Sequence, residues 1–242
     1  MINKDYLYTK IWNDLSDVVL EPDSLYLYAQ DPEDRSRYCS SKLSLKNVNT
    51  VFEEISINDD DQMVISSNHN VVPLTSTDAI KRFFSSYKFR VLYLEVTGMC
   101  CRLVAPLMKY AIENGIEIRV VYSEPKEYLL CEFQKEGLNK DLSESIAGVN
   151  PLPGFIRLVP FKEEPLFVTL LGFEGGRFSY LVTNKQPSYD KILPVVGVPG
   201  YRMHYPFESF WGNRNALKTT KAYERIILSL IHISEPTRHS LI

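Results

Sequence analysis

The chain of 242 residues predicts an α/β fold, a three-layer sandwich in which helices cover both faces of a mainly parallel sheet. Two observations predict it. Short apolar runs rich in β-branched and aromatic residues alternate along the chain with amphipathic runs of helical period. One stretch, residues 91–122, has the pattern strand, helix, strand within the length of a single crossover unit.

The first third of the chain predicts one strand and helix pair, then two extended segments and a second helix. Residues 24–29 form a short β-rich run, and a polar cluster separates it from an amphipathic stretch at 38–45. Residues 49–57 and 62–67 are extended segments around an acidic turn. A helix follows at 79–88, whose apolar face consists of Ile80, Phe83, Phe84 and Tyr87.

The clearest signal comes next. Residues 91–96 are almost continuously apolar, which is typical of a strand buried on both faces, and Gly98 ends that run. Residues 103–115 have the pattern of a helix that closes on a glycine, and residues 116–122 are a second buried strand. The two strands are therefore expected to be parallel, with a right-handed crossover between them.

The second half repeats this alternation after a break. The expected elements are a helix at 126–137, a turn-rich excursion at 138–165, a strand at 166–172, a helix at 178–184, a strand at 191–198 and a helix at 208–220. Taken with the first half, the pattern predicts a Rossmann-like arrangement of five or six strands.

Composition excludes several classes of protein. The 27 Lys and Arg against 30 Asp and Glu leave a net charge of −3, so no global attraction to nucleic acid is expected. No apolar run is long enough to span a bilayer, and the first residues lack the order of a secretion signal, so we expect a cytoplasmic protein without a membrane partner. The four cysteines have no metal-ligand spacing, so no metal is expected, while cofactor and oligomeric state stay open.

The last residues of the chain have an unusual pattern. Residues 228–238, LSLIHISEPTR, resemble the conceptual translation of an adapter used to prepare DNA sequencing libraries. We therefore expect residues 1–227 to form a single Rossmann-like α/β domain, the N-terminal fragment of a longer protein, and residues 228–242 to be adapter-derived. A genuine amphipathic tail is the alternative.

Candidate ligand-binding residues follow from the strand ends, because ligands of open parallel sheets bind beyond the carboxyl ends of the strands. The residues there that can approach or bind an anion are Arg35, Ser36, Thr97, Gly98, Glu174, Gly175, Gly176, Arg177, Gly197, Gly200 and Arg202. The alternative for the turn at 172–177 is that its glycines only permit a tight turn while Glu174 and Arg177 pair. Neither G-x-G-x-x-G nor a P-loop occurs, which disfavours dinucleotide oxidoreductases and P-loop NTPases.

Two carboxylates are candidate catalytic residues. Glu95 lies in an otherwise apolar strand, where a charged carboxylate is costly unless it is functional or paired, for example with Arg119. Glu124 stands at a strand end immediately before Pro125. If their strands are neighbours, the two could act together as general acid and base. No Ser-His-Asp or Cys-His set can be assembled from the chain.

The segments VYSEP, GFEGGR and VVGVPGYR resemble an uncharacterised group of bacterial proteins with a Rossmann-like domain. The resemblance implies a fold and a bacterial intracellular setting, and no activity. Three functions stay open. The first is a binding or regulatory domain for a phosphate-bearing small molecule, such as a nucleotide, at the strand ends. The second is an enzyme of nucleotide or phosphate-ester chemistry that uses Glu95 and Glu124, and the third is a structural interaction module of a larger protein.

Overall fold

The computed structural model describes residues 10–30, 34–126, 151–155, 164–200 and 202–229. Its strands are β1 (Ser24–Tyr28), β2 (Thr50–Ile57), β3 (Gln62–Ile65), β4 (Val71–Pro73), β5 (Val91–Glu95), β6 (Glu117–Val121), β7 (Phe167–Leu170), β8 (Ile192–Gly197) and β9 (Ile227–Ser229). Its α-helices are α1 (Tyr38–Leu43), α2 (Thr77–Ser85), α3 (Cys101–Glu113), α4 (Gly175–Lys185) and α5 (Tyr205–Thr219).

A six-stranded sheet in the order β4-β3-β2-β1-β5-β6 forms the centre of the fold. The four strands β2, β1, β5 and β6 are parallel. β3 pairs antiparallel with β2, and β4 pairs antiparallel with β3 at the edge of the sheet. This confirms the α/β fold class with a mainly parallel, Rossmann-like sheet.

Helices cover both faces of this sheet because its strands are apolar on both sides. On one face, Leu25 and Leu27 of β1 and Leu92 and Leu94 of β5 pack against α2 and α3. On the other face, Tyr26 of β1 and Val91 and Tyr93 of β5 pack against α1. Successive residues of a strand point to opposite faces, so one run of sequence supplies both cores.

The direction of winding reverses between β1 and β5. From β1 the chain crosses through α1 to β2 on one side, whereas from β5 it crosses through α3 to β6 on the other side. Right-handed crossovers that advance in opposite directions must lie on opposite faces, and α1 and α3 do. The carboxyl ends of β1 and β5 therefore form a topological switch point, the usual place of a ligand crevice in such sheets.

Strands β7, β8 and β9 form a second, three-stranded parallel sheet with β8 in the middle. Helices α4 and α5 pack on it through Phe178, Ala216 and Leu217. The strands expected at 166–172 and 191–198 are present, but they pair with each other rather than with the six-stranded sheet. Apolar patterning specifies that a segment is a strand; it does not specify the strand's partner.

Some expectations fall outside the described residues. These are the helix at 126–137, except Lys126, and most of the turn-rich excursion at 138–165. Of the segment expected to be adapter-derived, Leu228 and Ser229 belong to β9, and the rest lies outside the described residues. Among the helices of the described ranges, none combines the length and the apolar composition that crossing a bilayer requires.

Candidate functional site

Gly98 allows the backbone segments that follow β1 and β5 to contact each other at the switch point. A Cβ atom at this position would stand 2.1 Å from the backbone oxygen of Ala29 and 2.9 Å from Cβ of Ser36. Ala29 follows β1 and Gly98 follows β5, so these two backbone segments can be in contact only because residue 98 has no side chain. The sequence predicts Gly98 as a residue for close approach by a ligand, and in the structure the group that approaches it is the protein's own backbone.

Arg35 lies beside this contact, in a short 3-10 helix at Asp34–Arg37 that precedes α1. Its Nη1 donates to the hydroxyl of Tyr122 at 3.1 Å and to the backbone oxygen of Ser123 at 2.9 Å. The guanidinium carbon also lies 5.5 Å from the centre of the Tyr122 ring. The segment after β6 therefore holds this cation in a fixed position next to the ends of β1 and β5.

Hydroxyl groups complete the same edge. Thr97 Oγ1 accepts the backbone N–H of Ser123 at 2.9 Å, and its own O–H proton can still donate. Ser36 is fully buried in the 3-10 helix. Four of the predicted ligand-binding residues, Arg35, Ser36, Thr97 and Gly98, thus converge at the switch point, although the first two are about sixty positions from the last two in the sequence.

Glu95, a candidate catalytic residue, is completely buried beneath α1. Its Oε2 accepts the hydroxyl of Tyr26 at 2.9 Å, and its Oε1 makes no hydrogen bond within the described part of the chain. Burial raises the pKa of Glu95 to about 7, while the Tyr26 hydroxyl and the nearby Ser40 backbone N–H act in the opposite direction. This carboxyl group therefore changes protonation near neutral pH.

Arg119, the arginine suggested as a partner for Glu95, binds elsewhere. Its guanidinium contacts Glu117 at 2.7 Å and Glu21 at 3.3 Å at the amino ends of the strands. The partner of Glu95 is the phenol of Tyr26, which lies on the neighbouring strand and on the same face. The sequence of a strand does not reveal this pair, because a buried tyrosine occupies the same alternating core positions as any apolar residue.

Cys39 lies beside this carboxyl group on α1. It is buried, and its Sγ lies 3.0 Å from the hydroxyl oxygen of Ser123. Burial raises the pKa of the Cys39 thiol, and the Ser123 hydroxyl acts against that rise. A thiol with a raised pKa is a poor nucleophile at neutral pH, so the side chain acts here as a small packing group.

Glu124, the other candidate catalytic residue, lies after β6 and contacts the loop after β8. Its Oε1 accepts the hydroxyl of Tyr205 at 3.1 Å, and Arg202 donates to the backbone oxygen of Lys126. These contacts join the two sheets at their carboxyl ends. Glu95 and Glu124 are thus bound by two different tyrosines, one inside the six-stranded sheet and one at the start of α5.

The remaining predicted ligand-binding residues surround β7 and β8. Glu174 and Arg177 pair at 2.5 Å, which is the pairing that the sequence offered as an alternative to anion binding. A Cβ at Gly175 would stand 2.0 Å from the backbone oxygen of Gly212, so this glycine permits α4 and α5 to pack. Gly200 packs against Tyr205, whereas Gly176 and Gly197 have open space beside them.

A shallow surface cavity of about 360 Å³ lies at the other end of the six-stranded sheet, near the amino ends of β5 and β6. It is lined by residues of α2 and α3 and by residues that precede β5 and β6, namely Phe84, Ser85, Phe89, Arg90, Tyr110, Gly115 and Ile116. None of the residues predicted from the strand ends borders it.

Within the described ranges, no three His, Cys, Asp or Glu side chains are grouped as ligands for a metal ion. No protein-family model, no curated protein and no solved structure matches this chain. A function for this chain is therefore inferred from the geometry of its own residues.

Proposed function

We propose that this chain is a binding or regulatory α/β domain that holds a phosphate-bearing small molecule at the switch point between β1 and β5. One observation carries the proposal. The reversal of winding between these strands brings Arg35 and Ser36 to the same end of the sheet as Thr97 and Gly98, although about sixty positions separate the two pairs in the sequence. The buried Ser36 and Gly98 form the base of this end, and Arg35 and Thr97 are the side chains that can bind a ligand there. Ligands of open parallel sheets bind at such an edge.

The start of α3 supports an anionic ligand. This helix begins at Cys101, three residues after Gly98, and its first turn contains no acidic residue. The residue before it, Cys100, makes no side-chain hydrogen bond to the helix, so no side chain of that residue satisfies the N–H groups of the first turn. The N–H groups of Leu103 and Val104 bind the backbone oxygen of Cys100, so those of Cys101 and Arg102, together with the helix dipole, are the ones that favour a phosphate at this place.

Arg35 provides the matching positive charge. A guanidinium binds phosphate with two parallel hydrogen bonds, and an arginine already held in place loses less conformational entropy when it does so. The contacts of Arg35 to Tyr122 and Ser123 hold it in that way. Nucleotides are the ligand class that we test first, because they combine phosphate with a flat base and a polar sugar.

The burial of Glu95 favours binding over catalysis. A general acid or base must come within hydrogen-bond distance of its substrate, and the side chain of Glu95 is enclosed between the sheet and α1. Its contact with Tyr26 gives it a structural partner instead. The enzyme hypothesis therefore has no favouring observation at this carboxylate.

Calorimetric titration of the full chain with ATP, GTP, AMP and inorganic phosphate tests the proposal. We expect binding of at least one of these probes, and we expect Arg35→Ala to weaken it by about tenfold or more, as for the loss of a charge-assisted hydrogen bond. Arg37→Ala, in the same 3-10 helix but exposed, is the matched control and retains affinity. Absence of binding by all four probes, or unchanged affinity in Arg35→Ala, would refute this assignment.

A further inference from the structure

The outer face of α5 and the turn before it carry exposed apolar side chains, which we call the aromatic stripe: Met203, Phe207, Phe210 and Trp211. Their exposed fractions are 92%, 77%, 44% and 45%. Phe207, Phe210 and Trp211 are three and four positions apart on α5, which places them on one side of the helix, and Met203 lies in the turn before it. The opposite side of α5, with Ser209, Asn213, Ala216 and Leu217, is buried.

Arg214 continues the stripe by one turn and fixes its indole group. The guanidinium carbon of Arg214 lies 4.3 Å from the centre of the Trp211 ring, and Nη1 donates to the backbone oxygen of Trp211 at 2.7 Å. One face of the indole is therefore covered before any partner binds. An aromatic group held in one position loses little entropy on association, which is typical of the residues that dominate interface energies.

The size of the stripe fits a small protein interface. Fully exposed aromatic side chains offer roughly 150–250 Å² each, so these four residues expose on the order of 500 Å² of mostly apolar surface. Single apolar patches larger than a few hundred Å² mark interaction sites on soluble proteins. Two such stripes pressed together would bury about 1,000 Å², which is the lower limit for a specific interface.

We propose that the aromatic stripe is the contact between two copies of this chain, whose α5 helices pack antiparallel about a two-fold axis between Phe210 and Trp211. In that arrangement Phe210 of one copy faces Trp211 of the other, and Phe207 faces the second copy's Arg214. The stripe thus matches itself: aromatic residues meet at the centre, and at each end a cation meets an aromatic ring. Glu208, on the same turn as Phe207, places an anion near that cation.

The oligomeric state of the full chain tests this proposal. We expect sedimentation equilibrium to show a reversible dimer, and Phe207→Ser to weaken the dimer by about tenfold or more, because both copies lose the apolar ring that contacts Arg214 of the other copy. Phe207 is 77% exposed, so the variant is expected to fold. Leu45→Ser, at a position 82% exposed beyond α1, is the matched control and leaves the dimer unchanged.

Fluorescence provides a second measurement that does not depend on a disruptive variant. In a Trp12→Phe background the emission comes from Trp211 alone, since the chain contains two tryptophans. Dilution of a dimer exposes this indole to water, so we expect a red shift of the emission on dilution, and we expect this shift to occur at about tenfold higher concentration when Phe207→Ser is added.

Two outcomes would overturn the proposal: a monomer at every concentration, or a dimer that Phe207→Ser does not weaken. A monomer that sediments with phosphatidylserine vesicles, and loses this binding in Phe207→Ser, would likewise overturn it and assign the stripe to a membrane surface.

Discussion

The hydroxyl of Tyr26 donates a hydrogen bond of 2.9 Å to Oε2 of Glu95, and both residues are fully buried between neighbouring parallel strands. Burial of a carboxyl group favours its neutral form, and this hydrogen bond compensates only part of that effect. The native chain thus carries one carboxyl group that is protonated well above the ordinary pH range of glutamate.

This pair predicts that stability decreases as pH rises toward neutrality. The pKa of Glu95 is raised from 4.5 to about 7, so between these values the native state binds more protons than the unfolded state. The stabilisation is fully present below pH 4.5 and is lost as pH rises through about 7, which amounts to roughly 3 kcal/mol for a shift of this size. Urea unfolding at pH 5 and pH 8 measures it.

Glu95→Gln should remove most of that pH dependence, because glutamine does not titrate and can still accept the Tyr26 hydroxyl. Glu113→Gln, at an exposed position on α3, is the control and should keep the pH dependence of the wild type. If the free energy of unfolding changes with pH equally in Glu95→Gln and in the wild type, another group is responsible.

Gly98→Ala should destabilise the fold, because its Cβ would stand 2.1 Å from a backbone oxygen that has no free rotation. We expect a loss of about 1–3 kcal/mol or more in the free energy of unfolding. Gly176→Ala is the matched control: it lies in α4 with open space around it, so alanine should be neutral or should stabilise by up to about 1 kcal/mol. Similar unfolding midpoints for the two variants would contradict the close approach of β1 and β5.

Arg119 belongs to a ring of four charges at the amino ends of the strands. It contacts Glu21 and Glu117, and Arg90 contacts the same two carboxylates. All four side chains are about one third exposed or more, so Arg119→Gln should cost only about 0.5–1 kcal/mol. Thermal unfolding at low and high salt checks this, since the difference between variant and wild type should shrink as salt screens the ring. A loss independent of salt would point to the contact with Tyr93 instead.

Arg177→Ala decides between the two groups of predicted ligand-binding residues. With the ligand at the β1 and β5 switch point, titration with the probe that binds the wild type should give unchanged affinity in Arg177→Ala and weakened affinity in Arg35→Ala. The existing pair of Arg177 with Glu174 is the reason for that expectation. The opposite pattern would move the anion site to the turn before α4.

The sequence predicts the central part of this fold well. The unit β5-α3-β6 follows from an apolar run, a glycine and a helical period, all within a local stretch of chain. The separate sheet of β7, β8 and β9 could not be predicted in this way, because strand pairing is decided by contacts between segments distant in sequence. The same holds for Gly175 and Gly212, whose close packing of α4 and α5 becomes visible only in three dimensions.

The candidate site, too, can be predicted from the sequence only in part. Strand-end residues such as Thr97 and Gly98 can be found from sequence, since position after a strand is a local property. Tyr26 and Tyr122 cannot, because each looks like an ordinary strand aromatic until its hydroxyl is seen to bind Glu95 or to accept from Arg35.

The contact between Gly98 and Ala29 has a consequence for any molecule that binds above it. Two peptide groups touch there without side chains between them, so the base of the proposed site keeps one width whatever rotamers the surrounding residues adopt. Under the proposed function, discrimination among ligands would fall to the groups beside this base, Arg35 and the first turn of α3. Variation at those groups would then change which molecule binds while leaving the sheet beneath unaltered.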